Sequence, residues 1–192
     1  MRKLSFALLI CAVALGVASP GVVAAEEKES EVLERASKRA KIDEVADETL
    51  KRLFAENEYA RALFDESMGW AVFDNTKVAF GISGGGGRGV AVEKSSGRRA
   101  YMKMGTGGVG LGLGVNKYQV IFFFQDETTA KSFIENGWQA DAGATAAAGK
   151  EAADAKTNFV NGLAIYQLTE KGLMLNADVA GTKYWLDDEL NE

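Results

Sequence analysis

The sequence predicts an α+β domain: N-terminal helices, then a mostly antiparallel, glycine-rich sheet of sandwich- or barrel-like form, with one later helix packed on it. Three observations carry this expectation. Residues 29–54 are rich in Ala, Glu, Lys, Arg and Leu and contain neither glycine nor proline. From Trp70 onward the chain changes to β-branched and aromatic runs punctuated by glycine. From Gly108 glycine alternates with an aliphatic residue, so an extended strand would put Val109, Leu111, Leu113 and Val115 on one face and Gly108, Gly110, Gly112 and Gly114 on the other. Helices first and strands afterwards imply antiparallel pairing in a single domain.

The elements follow in order. In residues 29–54, Ile42, Val45, Ala46, Leu50, Leu53 and Phe54 recur at three and four, the mark of one buried helical stripe. A break near Glu56-Asn57 precedes a second helix over 58–66. Residues 70–74 and 77–83 read as strands joined by a turn at Asp74-Asn75, and the glycines of 84–87 as a loop. Residues 90–94 and 99–104 read as a hairpin about Ser95-Ser96-Gly97. The run 119–124 is apolar on both faces and predicts a central strand covered on both sides. Asp126 caps a helix that ends at Gly137. Residues 138–149 read as a small-residue strand with alanine at 140, 142, 144, 146 and 148, a place for a helix to lie close. Residues 150–158 are a charged loop or short helix, and 159–168, 173–179 and 183–186 are further strands.

The N-terminus reads as a secretory signal peptide over residues 1–25: basic Met1-Arg2-Lys3, an apolar run over 4–18, small Val23-Ala24-Ala25, then charge from Glu26. The weighed alternatives are an uncleaved anchor, for which the apolar run is short, and a lipid on Cys11. With cleavage after Ala25, residues 26–192 form one domain with its core at about 33–187. That chain loses the only cysteine and the only proline. Its 20 basic and 27 acidic residues, once Arg2 and Lys3 are removed, give a net charge of −7. An acidic balance argues against general nucleic-acid binding. The chain has no histidine, which removes Ser-His-Asp and Cys-His nucleophilic sites and zinc sites built on His or Cys. Carboxylate-only chemistry stays open.

Two matches to Gly-x-Gly-x-x-Gly occur, at Gly84, Gly86, Gly89 and at Gly105, Gly107, Gly110. A dinucleotide site needs that loop to open a helix. Both matches run into strand-like alternation, so no cofactor is expected. Basic residues cluster twice. Arg35, Lys38, Arg39 and Lys41 lie on the first helix, interleaved with Glu31, Glu34, Asp43 and Glu44. Arg88, Lys94, Arg98, Arg99 and Lys103 surround the polyglycine and the hairpin, with Glu93 the one opposing acid. Each cluster is either a solvated face or an anion site. The first helix is either packed on the sheet or laid on a membrane surface, and its acids favour packing. Asp187 and Asp188 are expected at a solvated C-terminal end. Asp141 and Asp178 are the acids for a carboxylate hydrolase, which nothing further supports, and no metal site is expected.

Glycine inside a strand packs nothing and costs entropy, so a bare strip implies close approach by a helix, a strand or a ligand. Gly84, Gly85, Gly86, Gly87, Gly89, Gly108, Gly110, Gly112 and Gly114 are the candidates for that approach.

Several segments together resemble the SYLF domain: Gly69-Trp70-Ala71-Val72-Phe73, the run from Val78 through the polyglycine to Arg88-Gly89, and the glycine ladder followed by Val120-Ile121-Phe122-Phe123-Phe124. Gly137-Trp138 and Lys171-Gly172-Leu173-Met174 complete the pattern. The resemblance spans about residues 33–187. It implies a lipid-binding module, phosphoinositide-binding in eukaryotic members, actin-binding in the yeast type, and exported to the cell envelope in bacterial ones. Arg35, Lys38, Arg39 and Lys41 fall in the N-terminal region that the family uses for lipids. No actin partner is expected of an exported bacterial form. The expected function is therefore a non-enzymatic, exported, periplasmic or secreted module that binds anionic phospholipid or a membrane surface. Its headgroup contacts are expected from Arg88, Arg98, Arg99 and Lys103. The alternative is an envelope scaffold acting through protein contacts or self-association.

Overall fold

The computed structural model describes residues 20–140, 158–174 and 181–192. The described residues divide into two compact units, one ending at Glu34 and the other beginning at Arg35. In the first, the chain enters helix α1 (Pro20–Glu56) at a proline, which the first helical position tolerates because its missing N–H has no intrahelical partner there. All that follows concerns the second unit.

From residue 35 α1 continues to Glu56, and α2 (Glu58–Glu66) follows at once, its first turn closed by Asn57, whose side chain accepts from the Ala60 amide. The next two elements are one long ribbon. β1 (Gly69–Glu93) runs without interruption into a turn and returns as β2 (Arg99–Phe124), paired antiparallel from Gly69↔Phe124 to Val92↔Arg99. The expected turn at Asp74-Asn75 and the expected polyglycine loop are both strand. Turn-forming residue types are overridden here by a partner strand that satisfies their backbone groups. The ladder breaks once. Phe80 pairs with Leu113 and Ile82 with Val109, so three residues of β2 stand opposite one of β1. Gly114 beside this bulge has φ +141°, a conformation that favours glycine.

The other edge of β2 is shared. β6 (Thr182–Leu186) pairs with its first half, Met102↔Leu186 to Thr106↔Thr182, and β4 (Leu163–Thr169) with its second. β3 (Trp138–Gln139) pairs with β6, and β5 (Gly172–Met174) with β4, giving six antiparallel strands among the described residues. α3 (Glu127–Asn136) lies between β2 and β3, capped by Asp126, and α4 (Asp188–Asn191) closes the chain. α4 was not expected from the sequence. The expected strand over 138–149 is seen only at its start, and the rest of its alanine stripe and most of 173–179 lie outside the described residues.

The sheet is covered on both faces, as the run 119–124 predicted. Phe73, Phe122, Phe124 and Tyr184 pack with Phe133 and Ile134 of α3, with Phe122 and Phe133 ring centres 5.0 Å apart. Val72, Ile121, Phe123 and Tyr166 pack with Ala46, Leu50 and Leu53 of α1 and Ala60 of α2. The expected helical stripe of α1 is thus a packed face. Ala140 belongs to the α3 side and not beneath α1.

The glycine strip divides by parity. A Cβ on Gly89 would overlap the Val72 carbonyl oxygen, one on Gly87 the Asp74 carbonyl and the Asn75 side chain, and one on Gly85 the Thr76 carbonyl. β1 therefore lies on its own first half, and the occupant of these three bare positions is the chain itself. Gly84, Gly86, Gly108 and Gly114 meet nothing closer than 3.4 Å, and the side-chain space at Gly110 and Gly112 lies outside the described residues.

Gly89→Ala is therefore expected to lower stability by about 2–3 kcal/mol in urea denaturation, because a backbone carbonyl has to shift. Gly107→Ala, which adds a Cβ into open space, should stay within about 0.5 kcal/mol of the parent. Equal effects would contradict the close approach.

Candidate functional site

A cleft of about 590 Å³ opens between α1 and the ribbon. One wall is Ile42, Val45 and Ala46 of α1; the floor is Val72 together with the backbone of Gly86, Gly87 and Gly89; Met104 and Trp185 close the far side. Asp74, Thr76 and three cations, Lys41, Arg88 and Lys103, complete the lining. The floor is shallow in side chains because Gly85, Gly87 and Gly89 must be bare for β1 to fold on itself. The same requirement exposes peptide groups to whatever enters.

Arg88 and Lys103 are cross-strand partners on β1 and β2, so their side chains leave the ribbon on one face. Both reach Asp187: Arg88 Nε lies 3.3 Å from Oδ2 and Lys103 Nζ 2.8 Å from Oδ1. Asp187 is 0% exposed, which overturns its expected place at a solvated end. A buried carboxylate is tolerated only when paired, and each of its oxygens has a cation. The two cations keep their outer surfaces toward the cleft, and one buried negative charge leaves them with net positive charge there. Asp187 is held in turn by its own backbone, whose N–H donates to the Tyr101 carbonyl, and by Asn191, whose Nδ2 donates to the Asp187 and Tyr101 carbonyls.

The remaining predicted cations go elsewhere. Arg39 donates from Nε to the Leu190 carbonyl (2.7 Å) and from Nη2 to the Glu192 carbonyl (2.8 Å). Arg35 pairs with Glu192 at 3.1 Å and Lys38 with Glu189 at 3.4 Å. These three side chains of α1 thus satisfy the last carbonyls and acids of α4, a use that cations at a helix C-terminus serve well. Arg99 pairs with Asp43 at 2.8 Å, and the Tyr101 hydroxyl donates to the other oxygen of the same carboxylate. Arg98 is exposed at the hairpin turn. Of the eight candidate basic residues, Arg88, Lys103 and Lys41 meet at one cleft. Arg98 and Arg99 sit at the hairpin turn, and the four strand residues from Arg99 to Lys103 span about 13 Å.

Asp187 and Trp185 were missed. The signal for Asp187 was an aspartate just before Asp188-Glu189, a helix-start pattern. It does occupy the N-cap position of α4, but with no side-chain capping bond; its carboxylate turns to the two cations instead. Trp185 stacks its ring edge over Gly105, 3.2 Å from where a Cβ would stand. Both Gly-x-Gly-x-x-Gly matches lie within the continuous strands β1 and β2, away from any helix start. Among the described residues no group of three or more His, Cys, Asp or Glu side chains is placed to hold a metal ion, and no helix is long and apolar enough to cross a membrane. Asp141 and Asp178 lie outside the described residues.

Residues 105–192 match the Ysc84 family, described as "Las17-binding protein actin regulator". The chain is also 41% identical over 154 residues to "Beta cell expansion factor A" of Aeromonas veronii, covering 80% of this chain. The chain spans 59% of that relative's length. Over residues 105–192 the chain is therefore similar to Ysc84 proteins. The matched segment begins at Gly105 and so includes Lys103's neighbours, Trp185 and Asp187, while Arg88 and the polyglycine precede it.

Asp187→Asn should cost about 2 kcal/mol in urea denaturation, less than a fully buried pair because Arg88 and Lys103 are partly exposed. An unchanged midpoint would mean that Asp187 does not anchor the two cations. A second expectation concerns pH. Burial, then its hydrogen bond to Asp43, raises the Tyr101 hydroxyl; burial, then Tyr118, raises Tyr184 well above the ordinary value. In the unfolded chain tyrosine ionises near pH 10. Above that pH the unfolded state loses protons that the native state keeps, so this contribution is intact below pH 10 and is lost as pH rises further. The urea midpoint should fall between pH 9 and pH 11, with tyrosinate absorbance appearing at unfolding; a flat midpoint would contradict the burial.

Proposed function

We propose that this chain is a non-enzymatic lipid-binding module of the bacterial cell envelope, exported by its N-terminal segment, which holds an anionic phospholipid in the cleft between α1 and the β1–β2 ribbon. The carrying observation is the convergence of Lys41, Arg88 and Lys103 on a cleft whose walls are Ile42, Val45, Val72 and Met104. Charge-assisted hydrogen bonds from the cations suit a phosphate group. The apolar walls and bare glycine floor suit the first carbons of an acyl chain, and the volume lies in the ordinary range of ligand sites. Arg35, Lys38, Arg39 and Arg99 have partners within the protein and contribute to fold more than to ligand. The family relationship supports the lipid reading, and the apolar run over residues 4–18 supports export.

A protein partner is the second reading, favoured by the family's description as Las17-binding. Actin regulation is not carried over, since an exported bacterial chain would not meet actin filaments in its envelope.

The test uses soluble dihexanoyl phosphatidate, read by the fluorescence of Trp185, which lines the cleft and is 39% exposed, with Trp185→Phe to assign the signal. Saturable quenching or shift is expected. Arg88→Gln with Lys103→Gln should weaken it at least tenfold, and raised salt should weaken it in the parent. Equal response to dihexanoyl phosphatidylcholine, or none to either, would overturn the cleft as an anion site. Oligomers that grow with concentration in light scattering, without any lipid response, would favour the second reading.

A further inference from the structure

Beyond the cleft, the bend of the ribbon carries apolar side chains that are exposed. Phe80 is 81% exposed, Val115 64% and Val78 50%. Val78 and Val115 are cross-strand partners and Phe80 is two residues along, so all three lie on one face of the ribbon. The opposite face is different: Ala79, between Val78 and Phe80, is buried. Exposed apolar residues that are scattered singly need no explanation, but a clustered set with a phenyl ring at its tip does.

The charge around this patch is one-sided. The chain as a whole carries −5. Yet between Asp74 and Glu93 the charged residues are Lys77 and Arg88, and between Arg99 and Asp126 they are Lys103 and Lys117. Lys77 and Lys117 are thus the charged residues nearest the patch on the two strands, and Arg88 and Lys103 lie farther along, at the cleft with Asp187. Lys117 is exposed and pairs with Thr76, which puts it on the same face as Val78 and Val115, one step nearer the cleft. Along that face the order is Phe80, then Val78 with Val115, then Lys117 with Thr76, then the cleft itself, of which Thr76 and Asp74 are lining residues.

An apolar tip backed by lysine at one strand step, about 3.4 Å per residue, matches the layering of an anionic bilayer, hydrocarbon beneath charged headgroups. We infer that this bend of the β1–β2 ribbon is a membrane-docking surface: Phe80, Val78 and Val115 enter the outer acyl region of an anionic bilayer while Lys117 meets its headgroups. This rests on the lipid reading of the cleft and adds to it a direction, with the cleft mouth facing the membrane from which its ligand would come. A soluble protein partner would need no such charge segregation along the ribbon, so the bilayer is the occupant that the pattern favours.

The experiment is sedimentation of the full chain with vesicles of equal parts phosphatidylglycerol and phosphatidylcholine, and with phosphatidylcholine alone. Phe80→Ser should lower partitioning onto the anionic vesicles about tenfold, the loss expected when one large apolar side chain no longer leaves water. Phe80→Leu should largely retain it, and Lys117→Gln should reduce it in a salt-dependent way. The parent should bind phosphatidylcholine vesicles far more weakly. Three results would overturn the inference: unchanged partitioning of Phe80→Ser, a Phe80→Ser variant whose melting temperature falls while vesicle binding stays, which would give the patch to another segment of this chain, or loss of a parent oligomer with vesicle binding intact. Phe80→Ser should leave the response to soluble dihexanoyl phosphatidate unchanged. Failure at the tip is thereby separable from failure of the cleft, which would show in the soluble assay.

Discussion

The approach of β1 to itself is the constraint from which the rest of the architecture follows. The carbonyls of Val72, Asp74 and Thr76 rest on Gly89, Gly87 and Gly85, where a Cβ would overlap them. Such contact requires the ribbon to bend, and the bend falls at the irregularity after Phe80, where β2 carries the extra residues. Bending splits the free edge of β2 into two halves, one taken by β6 and the other by β4. It also leaves a floor of peptide groups under α1. A helix packed over side chains would fill that space; here a cleft remains.

Electrostatics then decides which cations are left for that cleft. α1 and the ribbon are both basic on their facing surfaces, but the C-terminal turn absorbs much of this charge. Leu190, Glu189 and Glu192 take Arg35, Lys38 and Arg39. Asp43 takes Arg99. At Asp187 one acid faces two cations. Desolvating a carboxylate costs several kcal/mol, so a fully buried aspartate needs both partners, and their long side chains are held in place rather than free to rotate. A cation pair fixed in this way loses less entropy on meeting an anion than two mobile lysines would.

The helices and the central strand were legible because their signals are local. The three-and-four spacing of Ile42 to Leu53, the break near Glu56-Asn57, Asp126 as a cap, Gly137 as a stop and the two-sided apolar run before Gln125 each state their own structure. The length of β1 was not legible. Asp74-Asn75 and four successive glycines carry turn chemistry, and only the partner strand, more than forty residues away in the case of Gln119 and Asp74, turns them into ladder. The glycine strip announced a close approach but not its occupant, since nothing local distinguishes a ligand from a returning strand. The basic clusters had the same ambiguity. Residue type placed Arg88 and Lys103 together with Arg98 and Arg99, but strand register separates them. Asp187 was read from its position near the chain end, whereas its burial is set with Tyr101, whose bonds to Asp187 and Asn191 no sequence window contains.

The C-terminal turn and the cleft draw on the same two side chains. An anion that takes hold of Arg88 and Lys103 changes the field at Asp187, and Asp187 is the residue by which the last turn of the chain is seated. The two events are thermodynamically linked, and the linkage is reciprocal: whatever favours the seated turn alters the affinity for the anion by the same factor. An empty and a filled cleft would then differ in how firmly the final helix is clasped, which makes the tail a reporter of occupancy written into the fold.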